Sequence, residues 1–142
     1  MMSVRVVVRS NGSDASLVAV AAAALEAVRR GMSLQIVCCW DCSASEYAQD
    51  AVWSHSPERV AAADAENVVN EAAKDVEDAH PGLVVWTRAC RGDPVSVLVD
   101  VAQDAGLLVI GARRRSRVAG LVFGSTSDEI SRLARCPVLI VS

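Results

Sequence analysis

The stretch that decides the fold is VRVVVRSNGSDASLVAVAAAALEAVRRG, residues 4–31. It opens with a β-branched run, Val4 to Val8, which the turn formers Ser10, Asn11, Gly12 and Ser13 bring to an end. That is the pattern of a short buried strand followed by a turn. Apolar residues then recur at Leu17, Ala21, Ala24 and Val28, a helical spacing that Arg29, Arg30 and Gly31 close.

The unit repeats along the chain. Leu34 to Trp40 predicts a second strand, and Ser56 with Pro57, a cap residue and a first-turn proline, opens a long helix. Its apolar stripe is Ala61, Ala65, Val68, Ala72 and Val76, with Glu66, Asn70, Glu71, Lys74 and Glu77 on the solvated side. Pro81 and Gly82 turn the chain into a third strand, Leu83 to Ala89. Asp93 and Pro94 open a third helix carrying Val95, Leu98, Val99 and Ala102, and Gly106 stops it. Leu107 to Ile110 is a fourth strand, Gly111 to Gly124 a loop, Ser125 to Leu133 a short helix and Pro137 to Val141 a fifth strand. Strands separated by helices require crossover connections, so the sheet is parallel with helices on both faces. The expected class is α/β, doubly wound and Rossmann-like, in a single domain over residues 1–142.

Composition agrees with this class. Of 142 residues, 52% are hydrophobic and 22% charged, a balance that supports a packed core and excludes general disorder. The apolar run from Leu17 to Leu25 is cut by Glu26, well short of the about 20 residues a membrane span needs. The segment Met1 to Val8 carries Arg5 and has no export signal, and the five cysteines are not spaced as a disulfide framework. A cytoplasmic location is expected. The net charge of −3 excludes a generally basic surface, so neither nucleic acid nor membrane is an expected partner.

In an open parallel sheet the ligand crevice lies beyond the carboxyl ends of the strands, here just after Val8, Trp40, Ala89 and Ile110. The strongest local signal there is Gly111 followed by Arg113, Arg114, Arg115 and Arg117, then Gly124, Ser125 and Thr126 at a helix start. Glycine, hydroxyls and unpaired helix N–H groups together form a phosphate seat, which the helix dipole reinforces. The same residues also read as a helix cap beside a solvated basic loop.

No catalytic constellation accompanies them. The only lysine, Lys74, lies mid-helix and away from any glycine loop, so a P-loop is excluded, and His55 and His80 have no partners at telling spacings. Cys38 and Cys39 are adjacent in a strand and face opposite sides, which disfavours a shared metal ion. Catalytic and metal residues are therefore both expected to be absent. Trp40, at a strand end, reads either as a base-stacking ring or as core packing.

Ile110, Gly111, Gly124, Ser125 and Thr126, the closing run Cys136 to Val141, and the first turn Asn11, Gly12 and Ser13 give the chain a specific likeness. From end to end it resembles the universal stress protein family, with its GxxGx9G(S/T) loop and Asp-Gly-Ser first turn. Two positions depart from that pattern: Arg114 replaces the second glycine and Asn11 replaces the aspartate. The resemblance implies the strand order 3-2-1-4-5 and a regulatory adenine-nucleotide ligand, ATP or another. Adenosine would lie at Asn11 and the backbone near Cys39, and phosphates along Gly111, Gly124, Ser125 and Thr126, with Arg114 assisting or obstructing. It further implies a stress-response role, a homodimer joined through strand 137–141, and at most slow, incidental hydrolysis. The alternative is a member that has lost nucleotide binding and works as a dimeric protein-interaction module. The implied order also sets strands two and three side by side, which would bring Cys42 and Cys90 to neighbouring strand ends as a redox-sensitive pair.

Overall fold

A computed structural model describes residues 4–41, 57–112 and 125–142. The centre of the molecule is β1 (Arg5–Arg9), whose Val6, Val7 and Val8 are fully buried. A strand pairs and packs on every side only if neither face meets water, which explains three consecutive valines instead of an alternating pattern. Burial of each stabilises the fold by about 1.5–3 kcal/mol relative to exposure.

Around it run α1 (Asp14–Arg30), β2 (Ser33–Trp40), α2 (Pro57–Ala79), β3 (Val85–Arg91), α3 (Pro94–Val101), β4 (Leu107–Gly111), α4 (Ser125–Leu133) and β5 (Val138–Val141). The five strands form one parallel sheet in the order β3-β2-β1-β4-β5, the order the family likeness implies. Helices α1 and α2 cover one face through Ala19, Ala23, Ala65 and Val69, while α3 and α4 cover the other through Leu98 and Ile130. No helix among the described residues is long and apolar enough to cross a membrane.

The face of α1 differs from the expected stripe. Of Leu17, Ala21, Ala24 and Val28, only Ala24 is buried; the inward face is Ser16, Ala19, Val20, Ala23, Ala24 and Ala27. The helix is apolar almost all round, so its period does not set its phase. Alanines take the inward side because they let the helix approach the sheet closely, leaving Leu17, Val18, Leu25 and Val28 about half exposed.

All five strands also shift by a residue or two from the expected limits, and the shifts in β1 and β3 matter for function. β1 extends to Arg9, placing a cation at its carboxyl end. β3 begins at Val85, because the N–H of Leu83 donates to the His80 carbonyl at 3.0 Å and holds the chain in a turn until then. The strand runs on to Arg91 and carries Cys90 within the ladder. At the opposite end of β1, the Arg5 guanidinium donates to Gln35 Oε1 at 2.6 Å and the Val101 carbonyl at 2.6 Å and pairs with Asp104 at 3.1 Å, clamping α3 to the sheet.

Candidate functional site

The sheet order turns at β1, between β2 and β4, and the residues beyond these strand ends form a crevice. Its lip is the turn from Ser10 to Ser13. Gly12 takes a φ of +81°, a left-handed conformation that other residues rarely adopt, so the chain reverses there at little steric cost. The Asn11 Oδ1 accepts from the Ser13 N–H at 3.0 Å, and the Ser13 hydroxyl accepts from the Ser16 N–H at 3.2 Å to cap α1. Ser16 closes the set: its hydroxyl donates to the Ser13 carbonyl at 2.8 Å and accepts from the Asn11 N–H at 3.3 Å. With Oδ1 accepting from Ser13, the side-chain amide of Asn11 keeps its NH2 as a donor and one lone pair on Oδ1.

Gly111 supplies the opposite wall. A Cβ there would lie 2.5 Å from the Ala15 carbonyl oxygen, so the end of β4 rests directly on the first turn of α1. Between them is a cavity of about 190 Å³ lined by Arg9, Asn11, Ser13, Ala15, Ser16, Gly111, Thr126 and Ser127. Arg9 is the cation of this lining, which among the described residues contains no carboxylate and no histidine. The first residues of α4 complete it, and the free N–H groups of a helix N-terminus carry partial positive charge.

A second cavity of about 380 Å³ adjoins it, also reached by Asn11, and lined by Cys38, Cys39, Trp40, Val68, Gly92 and Pro94 among others. Burial raises the Cys39 thiol to about 12, with Arg9 pulling the other way; Cys38 is raised for the same reason. Both sulfurs are therefore neutral walls at physiological pH. Trp40 packs against the core, and the Arg91 guanidinium sits over its ring, 5.6 Å from the centroid, while bonding Glu58 at 3.2 Å. Of its two expected roles, packing describes these contacts. A larger hollow, about 730 Å³, lies at the opposite end of the sheet against Met32, His80, Val84 and Trp86, far from the converging strand ends.

Among the expected site residues, the crevice brings together Asn11, Cys39, Gly111 and Thr126. Ser125 is the first residue of α4, whereas Arg114 and Gly124 lie outside the described residues. Arg9 and Ser127 join the lining without having been singled out by motif. For Arg9 a signal exists: a cation closing an otherwise apolar strand on its carboxyl side, where crevices form. Ser127 carries none, since its burial to 5% exposure follows from the helix seating. His80 stands at the end of α2 away from the crevice, and His55 lies outside the described residues.

The universal stress protein family model matches residues 2–142. The chain is 32% identical over 136 residues to universal stress protein Rv2623 of Mycobacterium tuberculosis, covering 95% of this chain and 44% of that protein. It thus spans less than half the length of that relative. Among solved structures, a universal stress protein in complex with cAMP superposes with a TM-score of 0.69 at 29% identity, over 99% of this chain and 98% of that one. Universal stress protein UspA from Lactobacillus plantarum shares the fold, with a TM-score of 0.78 at 24% identity over 100% and 99% of the two chains. The chain belongs to the universal stress protein family.

Proposed function

We propose that this universal stress protein binds an adenine nucleotide as a regulatory ligand in the crevice above β1, β2 and β4. The observation that carries the reading is the pair of adjoining cavities that share Asn11. The larger, walled by Cys38, Cys39, Trp40 and Val68 with Asp41 and Asp64 as polar groups in its lining, has the size and mixed lining suited to a nucleoside; the smaller, with Arg9 beside the α4 N-terminus, suits a phosphate group. The relative solved with cAMP supports the ligand class.

In this reading the Asn11 NH2 and the backbone near Cys39 hold the nucleoside. Gly111, Gly124, Ser125 and Thr126 hold phosphate oxygens through N–H and hydroxyl groups, Arg9 adds a charge-assisted contact, and Arg114 either assists or obstructs. ATP, ADP, AMP and cyclic AMP are the candidate ligands. The protein acts as a cytoplasmic, ligand-responsive homodimer joined through strand 137–141, with hydrolysis at most slow and incidental.

A second reading, a dimeric protein-interaction module without nucleotide, draws support from Asn11. Its carbonyl oxygen is already engaged by Ser13, so it is less available to a nucleoside hydroxyl than the aspartate usual in the family would be. Calorimetric titration with ATP, ADP, AMP and cyclic AMP separates the two. A saturable isotherm with at least one is expected, whereas flat traces with all four select the interaction module.

A further inference from the structure

The register of β2 and β3 sets Cys39 directly beside Cys90, one rung before the ladder ends at Trp40 and Arg91. Paired residues of parallel neighbours project from the same face of the sheet. Both thiols pack against the cluster that includes Leu98 and Val101, while Cys38 belongs to the cluster on the other face. Neighbouring strands lie roughly 4.7–4.9 Å apart, within the range of roughly 4.4–6.8 Å between α-carbons that a disulfide bridges. Both side chains are only partly buried, so a small oxidant can reach them. Gly92, with a φ of +141°, follows the last rung and takes the chain off the sheet. The Gly92 N–H donates to the Trp40 carbonyl at 2.8 Å, which holds the ends of β2 and β3 side by side at the thiol pair.

The expected partner of Cys90, Cys42, lies outside the described residues, and in the ladder the neighbour of Cys90 is Cys39. We propose that Cys39 and Cys90 are a modification site, a dithiol that a peroxide converts into a reversible intramolecular disulfide across β2 and β3. Cys90 meets the oxidant first, because desolvation holds the Cys39 thiol protonated. The Cys90 thiolate attacks one peroxide oxygen; the O–O bond breaks, and the departing hydroxide takes up a proton to leave a Cys90 sulfenic acid and water. The Cys39 sulfur then attacks the Cys90 sulfur. The S–S bond forms, the S–O bond breaks, and hydroxide leaves with the Cys39 proton as a second water. One peroxide thus oxidises two thiols to a disulfide and is reduced to two waters. Since Cys39 lines the larger cavity, the bond ties that wall to β3.

The test is peptide mass mapping of the full-length protein, exposed to hydrogen peroxide while folded, then alkylated and digested. A link between the peptides of Cys39 and Cys90 is expected, lost on reduction, retained in Cys42→Ser and absent in Cys39→Ser. In Cys39→Ser a sulfenic-acid probe should label Cys90. Alkylation of all five thiols after oxidation would overturn the proposal, as would a link that disappears in Cys42→Ser or one that joins two molecules. The wild-type and Cys42→Ser measurements stand even if Cys39→Ser fails to fold.

Discussion

Gly111 at the end of β4 lies against Ala15 in the first turn of α1, so closely that a methyl group on Gly111 would fall 2.5 Å from the Ala15 carbonyl oxygen. The motif glycine at this position thus has a packing role whatever ligand the crevice takes. Gly111→Ala should push α1 away from the sheet and destabilise the fold by about 1–3 kcal/mol. Chemical denaturation reads this directly; an unchanged midpoint would contradict the contact.

Arg9 supplies the positive charge in the smaller cavity. A charge-assisted hydrogen bond is worth about 1.5–3 kcal/mol, so Arg9→Gln should weaken AMP binding about 10- to 100-fold. Adenosine, which has no phosphate, should bind both proteins alike. Equal losses for AMP and adenosine in calorimetry would assign Arg9 a structural role instead.

Ser13 caps α1 through its hydroxyl and the Ser16 N–H, 3.2 Å apart. Removing that acceptor in Ser13→Ala should cost about 1 kcal/mol, while Ser13→Asp should keep most of the stability by restoring an acceptor. Thermal melts of the two variants check the pair, and equal melting temperatures would argue that the cap contributes nothing.

Burial raises the Cys39 thiol from 9.0 to about 12. A group that holds its proton more tightly in the folded state adds stability that is complete below the unfolded value, so this share is present below pH 9.0 and is lost as pH climbs toward about 12. Reduced wild-type protein should therefore lose stability more steeply over that window than Cys39→Ala. Parallel slopes for the two proteins would show that Cys39 does not contribute.

Strand β5 is an edge strand, and its four residues, Val138 to Val141, are all apolar and half-buried. An unprotected apolar edge favours pairing with a second copy. Light scattering at micromolar concentration should give a dimer mass, and Ile140→Lys should shift it toward monomer. A wild-type monomer would remove the assembly from the functional reading.

The alternation of apolar runs and turn formers, with caps at Ser13 and Asp93, is local chemistry, and so the elements and their parallel arrangement were legible in the sequence by itself. The helix from Ser125 to Leu133 has the same limits in both. Gly111 and Thr126 could be singled out because a glycine after a strand and a hydroxyl at a helix start announce themselves in residue type, whereas Asn11 and Cys39 entered only through the family likeness. Tertiary structure alone decided which side of α1 faces inward, because a helix apolar all round has no phase until alanines meet the sheet. It alone brought Arg9 beside Thr126 and set Cys39 opposite Cys90. Such neighbours arise from strand register, and register depends on where each strand begins: at β3, that point is set by the hydrogen bond from Leu83 to His80, which no periodicity records.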